Sequence, residues 1–206
     1  MKKLFITIEG VEGSGKSTQI KLLKTALKKR GFPVFITREP GGTKISDQIR
    51  KILLSKKNRQ MVPLCELLLY EASRAQHVAE RIRPALKRGK IVISDRFYDA
   101  TSAYQGVVRG ISRKWVEKLN LFATSGLKPD LTLILDCPVQ KGFYRLRLRK
   151  KSLDRLEQEK RSFHERVRTA YLLLASSDPR RIKVINGNRE PEKVHENILK
   201  LVLGKI

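Results

Sequence analysis

An eight-residue stretch near the start of the chain, Gly10 to Ser17, constrains the possible fold more than any other feature. It reads Gly-Val-Glu-Gly-Ser-Gly-Lys-Ser and satisfies the spacing Gly-x-x-x-x-Gly-Lys-Ser at every required position. Gly10 and Gly15 allow backbone N–H groups to converge on phosphate oxygens, an approach that a Cβ atom would block. Lys16 can then reach the β- and γ-phosphates, and the Ser17 hydroxyl can serve as a ligand of Mg²⁺. We call this stretch the phosphate loop and expect it to bind a nucleotide.

The segments around the phosphate loop follow the strand, loop and helix pattern that such a loop requires. A β-rich apolar run at 3–9 precedes it, and apolar residues at 20, 23 and 27 follow at helical spacing. Further strands are predicted at 33–37, 91–95, 131–136 and 181–185, with helices at 44–54, 62–88, 115–123, 155–176 and 192–203. This alternation predicts an α/β fold with a five-stranded parallel sheet flanked by helices on both faces. The 206 residues are expected to form one domain, 1–206.

The net charge of +25, from 45 Lys and Arg against 20 Asp and Glu, is the one extreme property of the composition. It points to anionic partners, but the basic residues are dispersed singly or in short groups, without a long basic tail. A solvated surface with a phosphate-rich cleft explains the charge at least as well as a nucleic-acid groove does. We therefore expect no specific nucleic-acid partner.

Targeting signals and metal or disulfide patterns are not found in the sequence. The apolar run after Met1 is too short for a secretory signal, and no run approaches about 18 apolar residues. We therefore expect a cytoplasmic protein without a membrane partner. Cys65 and Cys137 stand far apart and are expected to be buried thiols, and the three histidines show no metal-ligand spacing.

Charged residues stand at the carboxyl ends of the predicted strands, where the ligands of α/β proteins gather. Arg38 ends the second strand before a Glu-Pro-Gly-Gly turn, and Thr43 is expected to cap the helix that follows. For Arg38 a surface salt bridge is the plainer alternative. Asp95 and Asp136 end the third and fourth strands. We favour Asp95 as the metal-side carboxylate because Arg96 follows it, and we expect Asp136 to tie down its strand-to-helix turn.

Two further groups of side chains suit the recognition of a base and a sugar. Tyr70 and Arg74 lie four residues apart in the predicted helix at 62–88, so one planar ligand can meet both, although a cation–π pair between them is the plainer explanation. The run from Asp99 to Gly106 concentrates hydroxyl groups, an amide and an aromatic ring. A polar loop with one packed tyrosine is the alternative explanation of that run.

A basic segment at about 145–155 lies between two helical patterns. Its cations are Arg145, Arg147, Arg149, Lys150, Lys151 and Arg155. Because these cations have almost no acidic neighbours, they repel one another unless an anion approaches, and we interpret the segment as a mobile basic flap. A solvated helix face is the ordinary alternative for such a run.

Four motifs together resemble those of the bacterial-type thymidylate kinases, a family of P-loop nucleoside monophosphate kinases. They are the phosphate loop, Thr37-Arg-Glu-Pro-Gly-Gly-Thr43, Asp95-Arg96-Phe97 and Ala103-Tyr-Gln-Gly106, and the resemblance covers nearly the whole chain. It implies the P-loop kinase fold and the transfer of the γ-phosphoryl group of ATP to thymidine 5′-monophosphate (dTMP), with Mg²⁺ as cofactor. It also implies that the protein forms a homodimer and that its ligands are the small nucleotides ATP and dTMP.

The resemblance further implies roles for residues at matching positions. The ATP site is expected to contain Gly10, Val11, Glu12, Gly13, Ser14, Gly15, Lys16, Ser17 and Thr18, with Ser17 and Asp95 on the metal side. The dTMP site is expected to contain Glu12 near the sugar 3′-hydroxyl, Arg38 and Arg96 on the phosphate, Tyr70 stacked on thymine, Arg74 on a thymine carbonyl, Tyr104 beside the sugar 2′ position, Gln105 near the base, and Thr101. The expected catalytic residues are Lys16, Arg96, Arg145, Arg147 and Arg149. The flap arginines are included because Gly13 stands where some family members carry a loop arginine.

The sequence also departs from the family pattern and leaves alternatives open. Ala100 stands where relatives often have serine, so a hydroxyl contact would fall to Thr101 or Ser102. Asn186 replaces a commoner aspartate near the adenine side. The alternative functions are a kinase for another nucleoside monophosphate or a nucleoside, and a non-catalytic protein whose nucleic-acid binding is gated by a nucleotide.

Overall fold

A parallel five-stranded sheet forms the centre of the computed structural model, which describes residues 3–148 and 152–206. The strands are β1 (Leu4–Glu9), β2 (Val34–Arg38), β3 (Ile91–Asp95), β4 (Leu131–Asp136) and β5 (Ile182–Asn186). They are ordered β2–β3–β1–β4–β5 across the sheet, and all pairings are parallel. The five predicted strands and the fold class are thereby confirmed, and every strand end lies within one residue of its predicted position.

Helices cover both faces of the sheet, as predicted. They are α1 (Lys16–Lys29), α2 (Lys44–Leu54), α3 (Pro63–His77), α4 (Arg83–Lys87), α5 (Tyr98–Thr101), α6 (Arg113–Ala123), α7 (Val139–Leu148), α8 (Arg161–Ser177) and α9 (Pro191–Leu203). Two π-helical segments, Val78–Ile82 and Ser102–Val108, continue α3 and α5. Helices α1 and α9 pack against one face of the sheet, and α8 packs with the second π-helical segment against the other.

The register of the strands places the phosphate loop at the middle of the sheet's carboxyl edge. On one side of β1, Ile8 is opposite Asp95 of β3, and on the other side Glu9 is opposite Ile134 of β4. The loop that leaves β1 therefore lies between the ends of two neighbouring strands. Ligands of open α/β sheets bind at this edge, so the fold brings the loop and the strand-end side chains to one place.

The amphipathic pattern of α1 explains how this helix docks behind the loop. Ile20, Leu23 and Leu27 are buried in the core cluster with the side chains of β1 and β3, whereas Lys21 and Lys24 are exposed. Burial of one apolar stripe fixes the rotation of the helix about its own axis. The first turn of α1, which carries the end of the phosphate loop, is thereby held in place.

Residues 99–106 are helical, so the polar-loop alternative for this run is wrong. They belong to α5 and to the π-helical segment that continues it. The reason is that Ala103, Tyr104 and Val108 pack together into the core cluster that also contains α8. Their burial fixes the segment as a helix and leaves its polar side chains in fixed positions.

Helix α8 begins at Arg161, six residues later than predicted, because the preceding segment forms a side-chain-stabilised turn. Asp154 Oδ1 accepts hydrogen bonds from the backbone N–H groups of Leu156 and Glu157, both at 2.9 Å. Such a carboxylate competes with helical hydrogen bonding at the start of a helix. The Arg155 Nε donates to the Leu53 carbonyl oxygen at 2.8 Å, which anchors the turn to the end of α2.

The cysteines and histidines behave differently from one another. Cys137 is buried, as predicted, but Cys65 is exposed, because it lies on the outward side of the first turn of α3. Within residues 3–148 and 152–206, no group of three or more His, Cys, Asp and Glu side chains could hold a metal ion. In the same ranges, no helix combines the length and the apolar character needed to cross a membrane.

Candidate active site

The phosphate loop turns sharply from β1 into α1. Gly15 caps the helix with φ +99°, a left-handed conformation that residues with side chains rarely adopt. The Lys16 ammonium group is buried and donates to the carbonyl oxygens of Gly10 and Val11, both at 3.0 Å. Burial, together with the nearby Arg96, lowers the pKa of Lys16 to about 8. The loop thus presents a cation and a helix N-terminus to the same small space, an arrangement suited to a polyphosphate.

Asp95 and Arg96 end β3 beside the loop. Arg96 has φ +71°, a left-handed conformation that costs about 1–2 kcal/mol for a residue with a side chain. The Ser94 hydroxyl supports this conformation by donating to the Arg96 carbonyl oxygen at 2.7 Å. Backbone strain of this kind concentrates at functional sites. The Asp95 carboxylate is half-buried, and it has no hydrogen-bond or ion-pair partner in the part of the chain that the structure describes.

Glu12, in the loop, is the centre of a buried polar cluster. Its Oε1 accepts a hydrogen bond from Arg96 Nη2 at 2.7 Å, and the Tyr104 hydroxyl lies 2.9 Å from each of its two oxygens. His164 Nδ1, from α8, lies 3.2 Å from Oε2. Burial by itself would raise the pKa of Glu12, but Arg96 and His164 hold it well below its usual range. Glu12 is therefore a carboxylate ion bonded to the side chains of Arg96 and Tyr104, with the His164 ring beside it.

Arg74 is 1% exposed, and side-chain acceptors surround its guanidinium group. Its partners are Glu39 at 2.8 Å, Glu71 at 2.6 Å, Asn120 at 3.1 Å and Thr101 at 2.9 Å. One N–H group on Nη2 is left without a partner in the described residues. The guanidinium lies 5.4 Å from the centre of the Phe97 ring. The cation–π pair is therefore with Phe97, and the alternative pairing of Arg74 with Tyr70 is wrong.

Gln105 and Tyr70 contribute one fixed amide and one half-buried ring. Gln105 Nε2 donates to Glu66 Oε1 at 2.8 Å, and Gln105 is buried. One N–H group of the amide is engaged, so the carbonyl oxygen and the second N–H group of Gln105 have no bonding partner among the described residues. Burial and the neighbouring Glu66 raise the pKa of Tyr70, so its phenol stays neutral.

Arg38 stands at the rim of the site. Its side chain is 58% exposed and lies 3.4 Å from Asp47 of α2, so the surface salt bridge considered for it does form. Such exposed pairs contribute about 0–1 kcal/mol, and an incoming anion can displace the carboxylate. Thr43 caps α2 as predicted, since its Oγ1 accepts from the Ser46 N–H at 3.1 Å.

A cavity of about 210 Å³ joins these features into one cleft. Its lining includes most of the predicted site residues: Glu12, Gly13, Ser14, Gly15, Lys16, Ser17, Arg38, Tyr70, Arg74, Asp95, Arg96, Thr101, Tyr104 and Gln105. Gly10 and Val11 support the loop from behind through their carbonyl oxygens. Thr18 is exposed in the first turn of α1. The cleft is therefore continuous from the phosphate loop to Tyr70 and Gln105.

Helix α7 packs directly on the phosphate loop through two glycines. A Cβ atom added to Gly13 would lie 2.7 Å from Gly142 Cα, and one added to Gly142 would collide with the Glu12 carbonyl oxygen. This close approach allows Arg145 Nη1 to donate to the Gly13 carbonyl oxygen at 3.2 Å. Arg147 is exposed and lines a separate cavity. Arg149 and Lys150, the predicted flap tip, lie outside the described residues.

A model of a protein family described as thymidylate kinase matches residues 8–198 of the chain. The chain belongs to the thymidylate kinase family. A thymidylate kinase of Trichlorobacter lovleyi is 50% identical over 208 residues, covering 98% of each chain. One of Pelobacter propionicus is 51% identical over 204 residues, covering 97% of this chain and 93% of the relative. The crystal structure of a thymidylate kinase from Ehrlichia chaffeensis superposes with a TM-score of 0.78 at 33% identity, over 98% of this chain and 100% of that one.

The family assignment confirms the resemblance inferred from the four motifs, but the roles of several residues around the cleft were not predicted from the sequence. Glu39 holds Arg74 and also lies 2.9 Å from the buried His77 ring. Tyr171 of α8 accepts from Arg96 at 3.0 Å and donates to Glu9 at 2.8 Å. The only sequence signal for such residues is that a deeply buried arginine requires polar partners, and this signal does not say which ones.

The prediction that Asp136 stabilises the turn after β4 is wrong. Its carboxylate accepts two hydrogen bonds from Arg168 of α8, at 2.6 and 2.9 Å. A bidentate pair of this kind is stronger than a bond to a backbone N–H group. Asp136 therefore links β4 to α8, and it is not among the side chains that line the cleft.

Proposed function

We propose that this protein transfers the γ-phosphoryl group of ATP to dTMP and so produces thymidine diphosphate for DNA synthesis. The observation that carries the proposal is the single cleft, which joins the phosphate loop to a set of side chains suited to a pyrimidine nucleotide. A protein that only hydrolyses a nucleotide needs the first half of this cleft and not the second. Membership of the thymidylate kinase family supports the same activity.

The donor ATP is assigned to residues 10–18. Lys16 gives up its two contacts with loop carbonyl oxygens and pairs with the β- and γ-phosphates. The residues also fit Mg²⁺, because the exposed Ser17 hydroxyl and the Asp95 carboxylate, which has no partner among the described residues, both line the cleft next to Lys16. The ion, when bound, would neutralise charge on the phosphates.

The acceptor dTMP is assigned to the other half of the cleft. Arg96 and Arg38 hold its phosphate, and Glu12 accepts a hydrogen bond from its sugar hydroxyl. Tyr104 lies against the sugar, because its hydroxyl is bonded to Glu12 and its ring lies 5.2 Å from the Arg96 guanidinium. A ring fixed on two sides leaves little room for a 2′-hydroxyl group, which favours deoxyribonucleotides.

The thymine base is assigned to Tyr70, Arg74, Thr101 and Gln105. The free carbonyl oxygen of Gln105 can accept from the N3–H of thymine, and the remaining N–H group of Arg74 can donate to a thymine carbonyl oxygen. Thr101 acts by positioning Arg74, to which its hydroxyl oxygen is already bonded. Cytosine has no N3–H group to donate to the Gln105 carbonyl oxygen, so the same placement of the base would leave that oxygen without a partner.

Phosphoryl transfer in this arrangement needs alignment and charge neutralisation rather than a covalent catalyst. A phosphate oxygen of dTMP attacks the γ-phosphorus atom of ATP, the bond to the β-phosphate oxygen breaks, and the electron pair leaves with ADP. The phosphate loop has no room for an arginine at position 13, since Gly142 fills that space. The transition-state cation is therefore assigned to the flap at about 145–155, in which Arg145 contacts the loop in the described part of the chain.

A homodimer and a cytoplasmic location belong to the same proposal. Large apolar side chains of the adjacent helices α3 and α6 are exposed, among them Leu64 at 57%, Trp115 at 60% and Phe122 at 85%. A second copy of the chain is the occupant that we assign to this surface. Light scattering should give about twice the chain mass of 23.7 kDa, and the mass of a single chain would contradict the dimer. The exposed thiol of Cys65 suits a reducing compartment.

The proposal is tested by supplying Mg²⁺, ATP and one acceptor at a time, and measuring ADP release. The acceptors are dTMP, dUMP, dCMP, dGMP, UMP and thymidine. We expect dTMP to be preferred, dUMP to be used about 10- to 200-fold less well because it lacks one methyl group, and ribonucleotides to be rejected. Lys16→Ala should abolish activity, whereas Lys21→Ala, on the exposed side of α1, should not change it. Equal activity with dCMP or dGMP would contradict the proposal and indicate a kinase for another nucleoside monophosphate.

The nucleic-acid alternative is tested with labelled duplex DNA at physiological salt. The net charge of +25 should give weak, salt-sensitive binding without sequence preference. Tight, sequence-selective binding that depends on ATP, together with no phosphorylation of any acceptor, would favour the gated nucleic-acid-binding protein instead.

A further inference from the structure

His164, in the first turn of α8, is a buried histidine beside the Glu12 carboxylate. It is 1% exposed, and its Nδ1 atom lies 3.2 Å from Glu12 Oε2. Its other close neighbours are two aromatic rings that meet it edge-on, Phe143 of α7 at 5.0 Å and Phe163 at 5.4 Å between ring centres. The histidine side chain thus lies between α7 and the Glu12 carboxylate of the phosphate loop.

Neither ring nitrogen of His164 makes an aligned hydrogen bond with the described residues. The Nδ1 to Oε2 distance is within hydrogen-bonding range, so the pair lacks alignment and not proximity. An aromatic hydrocarbon side chain would fill this site without leaving polar atoms unpaired. The polar ring therefore needs an explanation, and Glu12 is the charged group within its reach.

The need for this contact becomes clear when the acceptor binds. Arg96 holds Glu12 Oε1, and the single proton of the Tyr104 hydroxyl is shared between the two carboxylate oxygens. Under the proposed function, Arg96 must also serve the acceptor phosphate, and Glu12 must accept from the sugar. A donor on the far side of the carboxylate would then keep Oε2 in place while Oε1 faces the substrate.

We propose that His164 is the positioning residue that holds Glu12, by donating its Nδ1 proton to Oε2 of that carboxylate. This inference rests on the proposed function for its kinetic consequence, but the contact itself does not depend on any activity. His164 does not line the cleft, so it acts on the acceptor only through Glu12.

The kinetic test compares His164→Phe with His164→Asn. Phenylalanine keeps an aromatic ring but no donor, whereas asparagine places an amide nitrogen near the position of Nδ1. We expect His164→Phe to raise KM for dTMP about tenfold or more, the usual effect of removing a hydrogen bond to a charged group, and to change KM for ATP less than twofold. His164→Asn should recover most of the loss. His195→Asn, in the histidine of α9 that does not line the cleft, is the matched control and should behave as the parent protein does.

A second measurement reads the contact directly in the ligand-free protein. The chain has only three histidines, so the ring nitrogen resonances of ¹⁵N-labelled protein can be assigned from His164→Asn and His195→Asn. We expect Glu12→Gln to shift the His164 Nδ1 resonance and to leave the His195 resonances unchanged. If His164→Phe does not fold, this spectroscopic test and the kinetics of His164→Asn still test the proposed contact.

Two outcomes would overturn the inference. One is an unchanged KM for dTMP in His164→Phe, or a KM in His164→Asn that is raised as much as in the phenylalanine variant. The other is a His164 resonance that does not respond to Glu12→Gln. If the parent protein phosphorylates no dTMP, the proposed function fails instead, and the spectroscopic result alone supports or overturns the contact.

Discussion

The close packing of α7 on the phosphate loop predicts a large effect of the smallest possible substitution, Gly142→Ala. A Cβ atom on Gly142 would collide with the Glu12 carbonyl oxygen, so α7 must move away from the loop to accommodate a methyl group there. Arg145 Nη1 already lies 3.2 Å from the Gly13 carbonyl oxygen, so a displacement of about 0.5 Å along this bond exceeds hydrogen-bonding range.

The expected kinetic effect follows from the assignment of the transition-state cation to the flap. A misplacement of about 1 Å in a catalytic arrangement can lower turnover about 100-fold, and we expect Gly142→Ala to lower kcat by about that factor. Overpacking of this kind also destabilises a protein by about 1–3 kcal/mol, so thermal unfolding is measured alongside turnover. ADP release at saturating ATP and dTMP gives kcat directly.

The matched control is Gly204→Ala at the end of α9. A Cβ atom there would have its nearest contact at 3.5 Å, with the Lys200 carbonyl oxygen, and the backbone conformation suits any residue. This variant should keep parental turnover and stability. If Gly142→Ala also keeps kcat within twofold of the parent, the contact between α7 and the loop does not position Arg145 for catalysis. That result would refute the reasoning.

Three further predictions concern the cations of the site. Because burial lowers the pKa of free Lys16 to about 8 and bound phosphates favour its charged form, ATP binding at pH 8 should take up about half a proton and at pH 6.5 almost none. Calorimetry in two buffers of different ionisation enthalpy measures this uptake, and identical heats at pH 8 would contradict it. Arg74→Leu should lower the free energy of unfolding by about 3–5 kcal/mol, because it leaves buried carboxylates unpaired. Arg38→Leu, at the exposed rim, should lower it by less than about 1 kcal/mol. Similar denaturant midpoints for the two variants would show that the buried network contributes little to stability. Arg145→Ala should lower kcat about 10³-fold, and Arg147→Ala should lower it less than about tenfold, because only Arg145 contacts the loop in the described chain. Near-normal turnover of both variants would show that the flap is only a solvated basic face.

The fold could be predicted almost completely from the sequence because its signals are local. Apolar runs fixed the five strands, and the phosphate loop fixed the connection from β1 to α1. The errors arose where side-chain interactions, local in one case and distant in the other, decide the structure. The start of α8 is displaced by the carboxylate of Asp154, and the run at 99–106 is helical because it packs on α8.

The candidate site could be predicted as a set of residues but not as a network. Lys16, Asp95 and Arg96 follow from motifs whose spacing is set by one strand and one loop. Three of the four partners of Arg74 come from stretches outside its own helix, and His164 reaches Glu12 only through the packing of α8. Contacts between distant segments depend on tertiary packing, which periodicity and spacing do not encode.

The central claim is that one cleft selects dTMP as the acceptor of a phosphoryl group from ATP. The most direct measurement is a competition in one mixture, in which γ-³²P-labelled ATP and Mg²⁺ meet equal concentrations of dTMP, dUMP, dCMP and dGMP. The account predicts that the label enters thymidine diphosphate first, with deoxyuridine diphosphate as a minor product and the other two diphosphates unlabelled. Label distributed equally among the four acceptors, or released only as inorganic phosphate, would contradict the account.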